Sequence, residues 1–207
     1  APDHSTICRF RNELSKLKLW DELLDTLNTQ LTELGILKIK EGALIDATIV
    51  NSPRKPHLPK VLEIADDRED ERSEAQKQQE SDYHQQLRYT NPGIDHEARF
   101  VKKGKKSYYG YKHHVCTDKR GLVIKLHTTP ANRNDTKELP NLLESASLPE
   151  RTRVFADKGY DSASNRSCLR ERKLRDGIMR RKVKGKEFPK WEEVRNRAIS
   201  KRRCFVE

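Results

Sequence analysis

Apolar residues recur at helical spacing through the first part of the chain: Phe10, Leu14 and Leu17, then Leu23, Leu24, Leu27, Leu31 and Leu34. The spacing predicts a helical segment from about Ser5 to Leu34, opened by Ser5 or Asp3 as a cap and ended by Gly35, a residue that tolerates the left-handed conformation past a helix terminus. Carrying Arg9, Arg11, Lys16 and Lys18, it reads either as a packing element or as the remnant of a helical DNA-binding domain spanning residues 1–38. The period then changes. Residues 42–50 form a short, apolar, β-branched run between Gly42 and Asn51-Ser52-Pro53, the pattern of a buried strand. Asp46 interrupts it, and a charge there has to be paired, hydrogen-bonded or bound to a cation, because burying it alone is strongly unfavourable.

From about 53 to 107 the chain turns polar, and we read this stretch as an insertion. Between Glu63 and Asp82 nine acidic residues face three basic ones, which suits an exposed helix bridged by charge pairs or a mobile tract. His113–Thr117 and Leu122–Thr128 predict an antiparallel hairpin. Pro130 ends it, and Asp135-Thr136-Lys137-Glu138 has capping-box spacing at the start of a helix through Leu139, Leu142 and Leu143, where Pro140 is tolerable only near the first turn. A second short strand, Arg153–Asp157, ends in a carboxylate before the turn Lys158-Gly159-Tyr160-Asp161. There follow a helix from Ser164 to Arg172, a strand near Gly177–Met179 and a final helix from Trp191, with Trp191, Val194, Ala198 and Phe205 on one face. The order predicts an α/β fold, an α+β mixed sheet of the ribonuclease H-like type, over residues 39–207.

The formal charge of +11 and a pI of about 9.5 favour a polyanionic partner, with nucleic acid the first choice. Only 33% of residues are hydrophobic and 36% are charged, so parts of the surface are extended or bound rather than packed into one uniform globule. No apolar run approaches the roughly 18 residues of a membrane span, and Ala1-Pro2-Asp3-His4 lacks the features of a secretory signal. The expectation is a soluble, cytoplasmic protein. Cys8, Cys116, Cys168 and Cys204 lie far apart and read as reduced thiols. Basic residues concentrate in two places: eight against one acidic between Arg99 and Arg120, with Tyr108, Tyr109 and Tyr111 interleaved, and sixteen against five between Arg166 and Arg203. The first suits base stacking or a solvated sheet face, and the second a surface tracking a phosphate backbone.

Asp46 and Asp157, as strand-end carboxylates, are candidates to hold magnesium, which takes oxygen ligands, keeps waters and accepts phosphate oxygens. Such sites use a pair of ions about 3.5–4 Å apart, one activating the attacking oxygen and one stabilising the leaving oxygen. For a third ligand Asp161, Glu171, Glu192, Glu193 and Glu207 are all available. Asp135 reads as a helix cap and Asp161 as a turn or cap residue.

Five motifs then occur in order: ALIDATIV at 43–50, YGYKHHVCTD at 109–118 with GLV at 121–123, TTPANRNDTKELP at 128–140, FADKGYDS at 155–162 and RAISKRRCFVE at 197–207. Together they resemble the DDE transposases of bacterial insertion sequences, most closely the large "IS five" group. The resemblance implies a DNA transposase that cleaves at transposon ends and transfers strands into target DNA, using two Mg2+ ions for which Mn2+ can substitute. Its catalytic and metal-ligating triad maps to Asp46, to Asp157 in the pattern Asp-x-Gly-Tyr, and to Glu207 four residues behind Arg203. Lys158, Arg202, Arg203, Lys112 and Tyr160 are the expected DNA-binding residues, and a homodimer or higher assembly on DNA is expected. Ala1 in place of Met, and Glu207 inside an unfinished helix ahead of the family's lysine, suggest a fragment. The rival readings are a ribonuclease H-like nuclease without strand transfer and a non-catalytic DNA-binding relic.

Overall fold

The computed structural model describes residues 2–57, 73–183, 185 and 187–204. The helical start is two helices, α1 (His4–Leu17) and α2 (Trp20–Glu33), rather than one continuous segment. The break falls at Lys18, which takes the left-handed conformation (φ 57°) while its N–H caps the carbonyls of Leu14 and Ser15. Asp3 supplies the first cap by accepting from the Thr6 N–H at 2.7 Å, and Gly35 turns the chain at φ 67°. Neither helix has a buried residue.

After a 3-10 turn at Ile39–Glu41 come β1 (Ala43–Asn51), α3 (Glu74–Thr90), β2 (Arg99–Lys103), β3 (Lys106–Asp118), β4 (Val123–Pro130), α4 (Asp135–Ala146) and β5 (Arg153–Ala156). A 3-10 turn at Lys158–Tyr160, α5 (Ala163–Glu171), β6 (Arg175–Ile178) and α6 (Lys190–Arg203) complete the order. The strands make one mixed sheet. β3 pairs antiparallel with β1, β2 and β4, while β5 runs parallel to both β1 and β6. α2 is tied to β4, where the Asn28 side chain donates to the Ile124 carbonyl at 2.9 Å and Lys125 donates to both carboxylate oxygens of Asp25 at 3.0 Å.

The expected hairpin is present but longer than its apolar core suggests, and β2 lies within the stretch read as an insertion. There a second, smaller core forms from Ile94, Ala98, Phe100 and Tyr109, with Tyr83 and Leu87 of α3 against it. Of the acidic tract, residues 63–72 lie outside the described residues; from Ser73 the chain is helical, capped by a reciprocal Ser73–Gln76 capping box.

His84 of α3 is buried in that smaller core, stacked on Tyr109 and edge-on to Tyr83, and among the described residues neither ring nitrogen has a hydrogen-bond partner. Burial, then the charges of Arg99, His96 and Arg88, lower its pKa from 6.5 to about 4. The neutral ring is therefore the folded form. Its contribution to stability is complete above about pH 6.5 and is lost as pH falls toward 4. We expect urea midpoints measured at pH 7.5 and 5.0 to fall at the lower pH, and to fall less in a His84→Phe variant.

Alternation along the central strands sorts side chains onto two faces. Ala43 and Ile45 of β1, with Val154 and Ala156 of β5, face α4 and α5 and pack on Leu139, Leu142, Leu143 and Leu169 in the main core. Leu44 and Phe155 point the other way, onto Ile199 of α6. Two expectations about helices change. α4 is capped by Asn134, whose side chain accepts from the Thr136 N–H, and not by Asp135; Glu138 turns instead to Arg133 and His127. Pro140 sits in the second turn of α4, and the Thr136 carbonyl that its missing N–H would have bonded accepts from Asn165 at 2.9 Å. On α6 the expected apolar face is outward, with Trp191 and Val194 each 64% exposed, whereas Asn196, Ile199 and Arg203 are buried; Phe205 lies outside the described residues.

Candidate active site

The parallel ladder between β1 and β5 ends at Ile45 opposite Ala156. The next residue on each strand is an aspartate, Asp46 on β1 and Asp157 just past β5. Asp46 was expected at a strand end and is the fourth of nine residues in β1; it is the ladder with β5 that ends there, opening a crevice at the carboxyl edge of a parallel pair. Following Leu44 and Phe155 at the two-residue period of a strand, both carboxylates fall on the face covered by α6. One helical turn rises nearly as far as two strand residues. Ile199 therefore meets Leu44 and Phe155, and Arg203, four residues on, meets the two aspartates.

The Arg203 guanidinium donates to Asp46 Oδ1 at 2.9 Å and lies 3.7 Å from Asp157 Oδ1. Its side chain is 5% exposed, against 23% for Asp46 and 50% for Asp157. Asp157 also fixes its own turn, accepting from the Lys158 N–H as the cap of the following 3-10 turn. Both carboxylates face a cavity of about 710 Å³, whose walls include Lys103, Lys112, Asp135, Lys158, Tyr160 and Arg181.

The turn after Asp157 is clamped from behind. A Cβ on Gly159 would lie 3.3 Å from Asp135 Oδ2, so glycine lets the turn close on α4. The Thr136 hydroxyl donates to the Gly159 carbonyl at 2.7 Å, and Asn165 donates to the Tyr160 carbonyl at 2.8 Å. The Tyr160 hydroxyl is 3.0 Å from His114 Nδ1. Burial, then the carboxylates of Asp135 and Asp46, hold the Tyr160 phenol well above its ordinary pKa. It stays protonated as a structural hydroxyl. Asp161, expected to fix the turn or cap the next helix, instead pairs with Arg166 at 2.7 Å and accepts from the Arg181 N–H, while Ser162 caps α5.

The expected DNA-binding residues divide into three groups. Lys158 and Arg202 are exposed, the latter with its guanidinium 5.4 Å from the Phe155 ring centre. Lys112 and Tyr160 are buried in the cavity wall: Lys112 donates to Asp135 Oδ1 and to the Arg133 carbonyl, each at 2.9 Å. Arg203 is buried between the aspartates. Glu207 lies outside the described residues. The Lys112–Asp135 pair and Arg181 were not anticipated as parts of this cavity. Asp135 falls at a helix start, where an acidic residue ordinarily serves the backbone, and nothing in its local pattern points to Lys112.

Among the described residues no group of three or more His, Cys, Asp or Glu is placed to hold a metal ion. The two adjacent carboxylates, already bridged by a cation and open to a cavity, fit part of a hard-cation site that leaves positions for water and phosphate oxygens. The four cysteines are free thiols, and among the described residues no helix is long and apolar enough to cross a membrane.

No solved structure matches the chain. It is 40% identical over 201 residues to a transposase for insertion sequence element IS1106 from Neisseria meningitidis serogroup B, an alignment that takes in 96% of this chain and 63% of that relative. The chain thus spans less than two thirds of the length of the relative. The family model described as "Transposase DDE domain" matches residues 38–207, which include both aspartates and the whole sheet, and the chain accordingly belongs to the DDE-domain transposase family.

Proposed function

We propose that the chain forms the catalytic part of a DNA transposase, in which Asp46, Asp157 and Glu207 hold two Mg2+ ions, with Mn2+ able to replace them. The observation that carries this reading is the placement of Asp46 and Asp157 side by side at the end of the β1–β5 ladder, facing one cavity with cations around it. Glu207 enters by the family resemblance, four residues beyond Arg203 in the sequence. The strand pairing, antiparallel through β4, β3 and β1 and parallel through β5 and β6, is consistent with a ribonuclease H-like core over 39–207 bearing an insertion at about 53–107.

Family membership implies use of a divalent metal and binding to DNA. The bound ions would activate the attacking oxygen and stabilise the departing one. The protein's own groups orient the reaction. Asp157 is held by its turn, and that turn by Thr136, Asn165 and the Gly159–Asp135 contact. Lys158, Arg181, Lys103 and Arg202, all exposed, position the phosphate backbone as point charges and forks. Lys112 and Tyr160 form the wall against which the substrate rests. Residues 1–38 form a helical segment that either packs on the sheet, as the ties of Asn28 and Asp25 to β4 favour, or belongs to a DNA-binding domain, and we assign the assembly as a cytoplasmic, nucleoid-associated homodimer or higher oligomer on DNA.

The test incubates the protein with duplexes carrying the element's ends and a supercoiled target, with Mg2+ or with EDTA. Cleavage that leaves a 3′-hydroxyl, joined products and their loss in EDTA are expected. Cleavage without joining would favour a plain nuclease, and binding without either would favour a relic.

A further inference from the structure

We propose that Arg203 is a displaceable stand-in for the divalent cation: it offsets part of the charge of Asp46 and Asp157 in the metal-free chain and yields that place when the ion enters. The inference rests on the reading of the two aspartates as metal ligands. One guanidinium reaches both carboxylates, at 2.9 Å to Asp46 Oδ1 and 3.7 Å to Asp157 Oδ1, so it stands on the oxygen atoms a cation would use. One positive charge cannot neutralise two carboxylates, whereas a divalent ion can, and the exchange is electrostatically downhill for the aspartates. Both aspartates remain open to the cavity of about 710 Å³.

The guanidinium has somewhere to go. Arg203 lines the same cavity as the two aspartates, so its guanidinium can swing away from them into that space. The same cavity is the space assigned to the phosphodiester, and a released guanidinium there matches phosphate with two parallel donors. The device keeps the carboxylates apart from one another's charge before loading and couples metal entry to the appearance of a phosphate-binding group. Arg203 is thus a positioning residue whose position depends on the ion.

The experiment measures Mn2+ affinity by titration calorimetry for the unaltered chain and for Arg203→Gln, with circular dichroism to establish folding. Removing the competitor is expected to tighten binding on the order of tenfold, since the guanidinium otherwise has to be expelled. In the unaltered chain, modification of Arg203 by phenylglyoxal, read by peptide mass spectrometry, is expected to rise when Mn2+ is added; this readout needs no variant. Equal or weaker affinity in the folded variant, or no gain in Arg203 modification on metal addition, overturns the proposal. If Mn2+ binds and Asp46→Asn abolishes the binding, such a failure concerns Arg203 alone. Absence of Mn2+ binding in both proteins overturns the metal-site reading together with it.

Discussion

Asp46→Ala and Asp157→Ala are each expected to lower metal-dependent strand cleavage by at least ~10³-fold, the equivalent of about 4 kcal/mol of lost transition-state stabilisation, while leaving affinity for DNA nearly unchanged. The two carboxylates share the cavity lining with the exposed cations Lys158, Arg181 and Lys103, so removing an aspartate leaves those cations in place. Gel-shift and cleavage assays on the same preparations separate the effects. Asp157→Ala also deletes the cap that accepts from the Lys158 N–H, so a thermal melt belongs beside it; a small drop in melting temperature is expected, from a single exposed cap. Cleavage retained by either variant would remove the ligand assignment.

The second large effect concerns stability. Lys112→Met takes the positive partner from Asp135 in a pair where Lys112 is 2% exposed and Asp135 16%. Breaking a buried ion pair by removing one partner costs about 3–5 kcal/mol, and the lower end applies here because Asp135 keeps some contact with the cavity. Urea unfolding should show a loss of unfolding free energy of that size, read as a lowered midpoint. The double variant Lys112→Met with Asp135→Leu should recover much of the loss, because no charge is then stranded. A single variant as stable as the parent would show that the pair contributes nothing to the cavity wall.

Apolar runs, helical spacing and turn residues carried most of the fold. The strands around Ala43–Val50 and Val154–Ala156 were legible as short apolar runs bounded by turn residues, and the helix of residues 135–146 from the helical spacing of Leu139, Leu142 and Leu143. The break at Lys18 was not, because a lysine in the left-handed conformation leaves no glycine or proline to mark it. β2 escaped because its polar Arg99, Lys102 and Lys103 hide a pattern in which only Phe100 and Val101 are buried. The inward face of α6 was misread for a related reason: it buries Asn196 and Arg203, whose partners, the Arg180 backbone and the two aspartates, belong to tertiary structure rather than local sequence.

The site divides the same way. Asp157 was legible from a strand ending in a turn, and Asp46 from the anomaly of a carboxylate in a buried strand. Their juxtaposition depends on β1 and β5 being parallel neighbours in register, a relation between segments more than a hundred residues apart that no local pattern encodes. Glu207 came from resemblance alone, and the distances that make Arg203 a bridge between the aspartates came from the structure.

The most direct test of the central claim, that Asp46 and Asp157 bind the metal that drives strand cleavage, exchanges ligand softness. In Asp157→Cys a thiolate replaces a carboxylate, a poor ligand for Mg2+ and a better one for Mn2+. The account predicts cleavage lost in Mg2+ and recovered in Mn2+ for this variant, with the parent active in both metals. A variant that cleaves equally well in Mg2+ and Mn2+, or a folded one that recovers nothing in Mn2+, would contradict it.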